Sequence, residues 1–510
     1  MLTHGKSRWY SVFCVLSLVV PLTVYLASLL PGVGFWDTAE MQTVPYIFGV
    51  AHPPGFPAFV IIGYLFSHLF VFGNVAWRLS LMSAVAVAGA AWLIFKTLYE
   101  EGVNPLLASL CTCTFALGTV VWTRATRAEV HALALFFIAA AIWAALRARR
   151  SGRASALYLC GASLGLAAAT HPVMVWILPG IAVLGAPALC KLWRWKPQAQ
   201  GKAARMTAIT FALMIAPLLL YLYMPLRSAA VTMQHLDPTM AVGVPPGQPF
   251  WDYGHTADLH RFILQLTGAQ FPKGNALRAL LQPGEYPTFA LTFFGKALDE
   301  LGAPMLFLAV AAVIRLLFSD RLTLIALSLI VLLGVPFALS YGVEIDPDRY
   351  LLTAYWGIAI LAGIGAQGIL ALTKTRLQNR IALALLAIVL LESVIYDFQV
   401  NAYVWQQRSD RSAERFVDRV IQKTPPGSII VSPWVYATTL AYAGYVEHRL
   451  NGRIVETAQP FAPPLPLIVQ ARKRPLFVLY FETTPRSIAG VRQALVDRTG
   501  AGLYRIIPRR

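Results

Sequence analysis

Charge is what this sequence has least of. Only 13% of its 510 residues are Asp, Glu, Lys or Arg, about half the usual share of a soluble domain (about 25%). With 57% hydrophobic residues and a mean hydropathy of +0.60, the chain is predicted to be an integral membrane protein. The alternating pattern of an outer-membrane barrel is missing, which leaves helical spans of about 20 residues. Cysteine is also sparse. Cys14, Cys111, Cys113, Cys160 and Cys190 all lie within or beside apolar runs, without C-x-x-C or Cys/His spacing. Neither a disulfide framework nor a zinc site is expected. There is no phosphate-binding Gly-rich loop, no H-E-x-x-H and no G-x-S-x-G elbow. Acids are scarcer than bases, 24 against 42, for a net charge of +18. The Lys and Arg gather in short loops between apolar runs, where membrane orientation and anionic lipid account for them. No nucleic-acid partner is expected.

What is present is a series of apolar runs near 11–30, 57–73, 77–95, 105–122, 131–146, 154–170, 172–190, 206–225, 301–318, 322–340, 351–373 and 380–396. The first is long for a signal h-region and lacks an A-x-A site, so it reads as a retained helix. Basic residues occur at Arg147–Arg153, through 191–205, at Arg315 and Arg321, and at Lys374, Arg376 and Arg380. All fall on the side of the N-terminus only if 57–73 does not cross. The positive-inside rule therefore predicts eleven spans plus one juxtamembrane helix. Residues 1–397 would form the membrane domain, with outer loops 31–76, 226–300 and 341–350. Residues 398–510 would form a small extracytoplasmic α/β domain. In it Ser428-Ile-Ile-Val431 and Pro475-Leu-Phe-Val-Leu-Tyr480 read as strands, 435–445 and 488–497 as helices, and 460–466 as a Pro-rich loop.

This topology puts the reactive side chains on one face. Phe35-Trp-Asp-Thr-Ala-Glu40 carries Asp37 and Glu40 at a spacing that shares one helix face. Carboxylates beside lipid are costly and call for a functional explanation; the alternative is a capping box at a helix start. His52-Pro-Pro-Gly-Phe-Pro57 forms a stiff turn presenting one imidazole. Arg124-Ala-Thr-Arg-Ala-Glu-Val-His131 could clamp a phosphate or anchor a span. Pro225-Leu-Arg-Ser228 opens a long loop with His235, Asp237, Trp251-Asp-Tyr253, His255 and Asp258. His171-Pro172 reads as a turn between spans. Asp346-Pro-Asp-Arg-Tyr350 has two acids, too few to predict a bound metal.

Together these motifs resemble the GT-C superfamily of polytopic glycosyltransferases. Within it the chain resembles bacterial relatives of the vertebrate transmembrane protein O-mannosyltransferase that modifies plexin-type receptor domains. The resemblance rests on Asp37-x-x-Glu40, His52-Pro-Pro-Gly-Phe-Pro57, Trp122 with Glu129-Val130, Pro225-Leu-Arg-Ser228 with Asp237-Pro238, and Tyr341 with Asp346-x-Asp-x-Tyr350. His131 departs from it, standing where relatives carry an aromatic residue, and the segment after 398 lies outside it.

The resemblance implies transfer of a hexose, with mannose favoured, from a polyprenyl-phosphate donor to a hydroxyl of a protein or glycan acceptor. The enzyme would sit in a bacterial cytoplasmic membrane, in contact with membrane lipids, with its site and C-terminal domain facing outward. No metal cofactor is expected. Asp37 would be the general base, with a pKa raised by its apolar surroundings. Glu40 and His52 would orient the sugar or the base, and Arg227 and Arg349 would neutralise the leaving phosphate. Glu129 with Arg127 would complete the pocket, and Asp346 would contact substrate. The competing reading is a transporter or flippase of lipid-linked sugars. That reading expects binding groups near the bilayer midplane and internal repeats, whereas here the ionisable groups gather at one surface.

Overall fold

The computed structural model describes residues 8–193, 197–269, 283–340, 347–457, 467, 473–480, 491–497 and 502–508. Among them, eight helices are long and apolar enough to cross a membrane. A ninth span is the pair Pro105–Leu117 and Thr119–Ala125, bent by 72°. Ala154–Thr170, Pro172–Pro187 and Pro57–Leu69 are apolar but shorter, so length and composition support eight or nine of the eleven spans expected. The all-α polytopic architecture with a small C-terminal sheet is thus the observed fold.

Small residues let the spans approach closely. Val75–Glu100 is rich in alanine and packs against Val130–Ser151. Trp356 is fully buried beside it and donates its indole N–H to Ala90 O at 2.9 Å. The break in the bent span has a local cause. Gly118 marks the bend, and a Cβ there would lie 2.5 Å from Glu300 Oε1. The Glu300 carboxylate accepts from Val120 N at 2.8 Å and Val121 N at 3.0 Å. It thereby satisfies amides that the start of a helix leaves without partners. The redirected chain then delivers Arg124, Arg127 and Glu129 to a cavity shared with the outer segments.

Two juxtamembrane helices, Trp36–Ile47 and Pro57–Leu69, pack on one another where Gly63 meets Pro45. The second ends at Leu69, four residues short of the predicted 57–73 run.

The C-terminal sheet has the order β2-β1-β3-β5-β4. Its strands are β1 (Ile429–Ser432), β2 (Ile454–Thr457), β3 (Leu476–Tyr480), β4 (Val491–Asp497) and β5 (Gly502–Pro508). β1 runs parallel to β2 and β3, while β5 lies antiparallel to β3 and β4. β1 is buried along its whole length, as suits a strand covered on both faces. The helix Trp434–Tyr445 follows β1 as predicted and leads to β2, a strand the sequence reading did not mark. Of the helix expected at 488–497, the described residues 491–497 instead form β4, because pairing with β5 overrides the helix-favouring Arg-Gln-Ala-Leu of that stretch. The loop 460–466 lies outside the described residues.

This domain is welded to the membrane part. Thr439 Oγ1 donates to Gly34 O at 2.8 Å, and Tyr442 OH accepts from Ala76 N at 2.9 Å. One apolar core runs from Met41, Val44 and Phe59 through to Ile430 and Leu440. Val242 and Val244, from the long segment after Ser228, pack into the sheet's other core with Ile429 and Ile454.

Candidate active site

Where these elements meet there is a cavity of about 670 Å³. The Trp36–Ile47 helix begins at its wall, with no side chain capping it. Asp37 is therefore not a cap, and the capping-box alternative falls. Asp37 lines the cavity, and both its oxygens are engaged. Oδ2 accepts from Arg349 Nη1 at 3.2 Å and Oδ1 from Trp434 Nε1 at 2.9 Å. Burial would raise its pKa. The charges of His52 and Arg349 and the two hydrogen bonds outweigh burial and hold it below the usual carboxylate range. The expected raised pKa is thus overturned, because the apolar boundary comes furnished with cations.

Glu40 lies one helical turn further on and is fully buried. Its Oε1 accepts from His52 N at 2.8 Å, and its Oε2 pairs with His52 Nδ1. The His-Pro-Pro-Gly turn exists to bring this imidazole back onto the carboxylate. Burial alone would lower the His52 pKa; the Glu40 charge and hydrogen bond reverse that and raise it to about 9. His52 is an imidazolium at neutral pH. Asp37, Glu40 and His52 offer ligand atoms within 4.8 Å of one another, close enough for a divalent ion. Yet His52 Nδ1 is committed to Glu40, and Arg349 already supplies the charge that faces Asp37.

A second acid cluster completes the wall. Glu129 opens the Val130–Ser151 span, 7% exposed, and its amide donates to Ser83 Oγ at 3.0 Å. Its carboxylate meets Arg124 Nη1 at 3.1 Å and His131 Nδ1 at 2.9 Å. Burial pushes its pKa up, but the bond and charge of His131, then Arg124, carry it well below the ordinary value. Arg127 donates Nε to Thr123 O at 3.2 Å and lines the cavity. Burial, then Arg124, lowers its pKa to about 10, so it stays cationic at neutral pH. Among the described residues no carboxylate is paired to it.

Aromatic rings join the two clusters. His52 meets Phe56 edge-on at 5.0 Å, Phe56 stacks on His171 at 5.4 Å, and His171 lies 4.3 Å from His131. His131 therefore does what an aromatic side chain would do there while also binding Glu129. His171, read from the sequence as a turn residue, packs between Phe56 and His131.

The structure brings together Asp37, Glu40, His52, Arg127, Glu129 and Arg349. It does not bring Arg227, which donates Nη2 to Ile47 O at 3.1 Å and stacks over Trp251. Ile47 is ten residues along the helix from Asp37, roughly 15 Å. Asp346 lies outside the described residues. Asp348 pairs with Lys296 at 2.6 Å. Arg124, read from the sequence as part of a phosphate clamp or a span anchor, lines the cavity, as do Tyr253, Tyr403 and Trp434, to which sequence reasoning gave no role. Trp434 had one visible signal: it opens the helix just after β1, and the carboxyl ends of parallel strands often bear sites.

Geometry of this kind defines a class: a polytopic helical membrane protein with paired acids, arginines and an imidazolium in an interfacial cavity. Comparison with known proteins agrees with the GT-C resemblance. Residues 37–188 match the family model described as the protein O-mannosyl-transferase TMEM260 N-terminal domain. The chain is 25% identical to protein O-mannosyl-transferase TMEM260 of Mus musculus over 446 residues, 82% of this chain and 58% of that protein. It is 32% identical over 132 residues to protein O-mannosyl-transferase tmem260 of Dictyostelium discoideum, 25% of this chain and 16% of that one. The chain thus spans less than two thirds of either relative. Its fold matches ArnT from Cupriavidus metallidurans bound to undecaprenyl phosphate, with a TM-score of 0.55 at 11% identity, over 96% of this chain and 97% of that one.

Proposed function

We propose that this chain is a membrane glycosyltransferase that moves a hexose from a polyprenyl-phosphate donor to a hydroxyl on a protein or glycan outside the cytoplasm. The names of its relatives favour mannose and a protein Ser or Thr. The fold neighbour's undecaprenyl phosphate supports a lipid-linked donor. One observation carries the reading: Asp37, held by Arg349, lies in a cavity that also contains Arg124 and Arg127.

In this reading the donor phosphate enters among the arginines and draws Arg349 toward itself, since guanidinium forks match phosphate oxygens. Asp37 Oδ2 is then free to accept the acceptor's hydroxyl proton. Losing Arg349 also removes a cation that depresses the Asp37 pKa, which makes it a better base. The acceptor oxygen bonds to the anomeric carbon as the carbon–phosphate oxygen bond breaks. The polyprenyl phosphate leaves with the electron pair, its charge met by Arg349 and Arg127. Glu40 keeps His52 charged, and that imidazolium faces the carboxylate side of the sugar site. An oxocarbenium-like sugar would be stabilised by the nearby acids, by analogy with glycosidases. No step calls for a metal ion.

The test is transfer from a radiolabelled polyprenyl-phosphate mannose by the purified full chain in lipid nanodiscs. Asp37→Asn is expected to lower the rate about a hundredfold or more, the range for losing a general base, with unchanged expression. Transfer by Asp37→Asn at the wild-type rate would end the catalytic assignment.

A further inference from the structure

We infer that Trp434, from the C-terminal α/β domain, is a positioning residue of the active centre, orienting Asp37 through its indole N–H. This rests on the transferase reading above and deepens it. Trp434 Nε1 lies 2.9 Å from Asp37 Oδ1, although the two residues are 397 positions apart. Indole is a donor only, so it can serve Asp37 only while the carboxylate accepts.

The ring is fixed from three directions. It stacks on Phe250 at 5.6 Å and 11°, and meets Tyr253 and His52 edge-on at 6.2 Å and 6.1 Å. Phe250 and Tyr253 come from the long outer loop and His52 from the His-Pro-Pro-Gly turn, so two separate segments hold one side chain still. Its helix, Trp434–Tyr445, is itself docked on the membrane part through Thr439 and Tyr442. The two Asp37 oxygens thereby have different tasks. Oδ2 shares Arg349 with the incoming phosphate and is released to take a proton. Oδ1 stays on Trp434, so the carboxylate does not swing when Arg349 leaves. The C-terminal domain thus supplies one wall of the catalytic centre.

Trp434→Phe tests this, because it keeps the stacked ring and removes the N–H. Hydrogen bonds to charged groups contribute about 1.5–3 kcal/mol, which sets the expected loss in kcat at roughly ten- to a hundredfold. KM for the lipid donor should change less than about twofold, since the donor is held by arginines. The acid limb of the kcat/KM profile should move to higher pH, because a bond that stabilises ionised Asp37 has gone. An unchanged kcat and acid limb would overturn the proposal. A second measurement is independent of turnover: a thermal-unfolding cycle of Asp37→Ala, Trp434→Phe and the double variant in the full chain. Non-additive shifts are expected for a direct bond, and additive ones would overturn it. If the wild-type chain transferred no sugar, the transferase reading would fail while the cycle still judged the contact.

Discussion

In the proposed reading four side chains set the chemistry at the residue scale, two acids each paired with a base. Arg349 faces Asp37 across 312 positions of sequence, while His52 faces Glu40 across twelve. Each carboxylate is stable in its apolar setting because a cation reaches it. His52 is the member whose charge can be removed within a workable pH range. Its folded pKa of about 9 lies above the ordinary 6.5. The ion pair with Glu40 therefore contributes fully below pH 6.5 and is lost as pH rises through about 9. Transfer should fall on the alkaline side with a midpoint near 9. In His52→Gln the rate should be lower throughout and that limb absent. A pH–rate profile of both proteins checks this; an identical limb in His52→Gln would assign it to another group. Asp37, Glu40 and His52 were legible in the sequence because the segment that joins them is short and stiffened by prolines. Trp434 was not, because its role depends on how a distant domain docks. Arg227, a cation in a suggestive motif, donates in the structure to the Ile47 carbonyl at the far end of the helix from Asp37.

At the scale of elements, the position of Arg349 depends on how two spans fit. Arg349 sits in the turn Pro347–Leu351, which leads directly into the helix Leu352–Ala371. That helix lies tightly against Tyr286–Ser319. At Gly365 a Cβ would fall 1.8 Å from Leu308 O, a backbone atom that cannot rotate away. Gly365→Ala should force the helices apart at a cost of roughly 1–3 kcal/mol, as overpacking does. It should lower the melting temperature and reduce transfer by withdrawing Arg349 from Asp37. Gly185→Ala is the control, since its Cβ meets nothing within 4 Å. Equal behaviour of the two variants would show that this contact does not hold Arg349. The spans themselves were legible, since length and hydropathy alone mark them. The bend at Gly118 was hidden: its cause, the Glu300 carboxylate, arrives from 180 residues away. β4 was hidden for the same kind of reason, its local preferences yielding to a partner strand.

For the whole molecule, the helices separate two populations of charge. The Val130–Ser151 span begins beside Glu129 and ends with Arg149 and Arg150. The Leu352–Ala371 helix begins three residues after Arg349 and is followed by Lys374, Arg376 and Arg380. A helix of 22 residues is roughly 33 Å long, about the thickness of a bilayer core. The cavity and the basic loops therefore lie at opposite ends of the same spans. The C-terminal domain stands at the cavity end, because it contributes Trp434 to that wall. The positive-inside rule predicts that the basic ends face the cytoplasm, and the proposed function requires the cavity and the domain to face outward together. In a chain with its five cysteines replaced, Ser409→Cys, near the cavity, should react with a membrane-impermeant thiol reagent in intact cells. Ser151→Cys, at the basic end, should react only after the membrane is opened. Labelling of both from one side would break the link between charge and sidedness. It would also remove the reason for placing an extracytoplasmic acceptor within reach of Asp37.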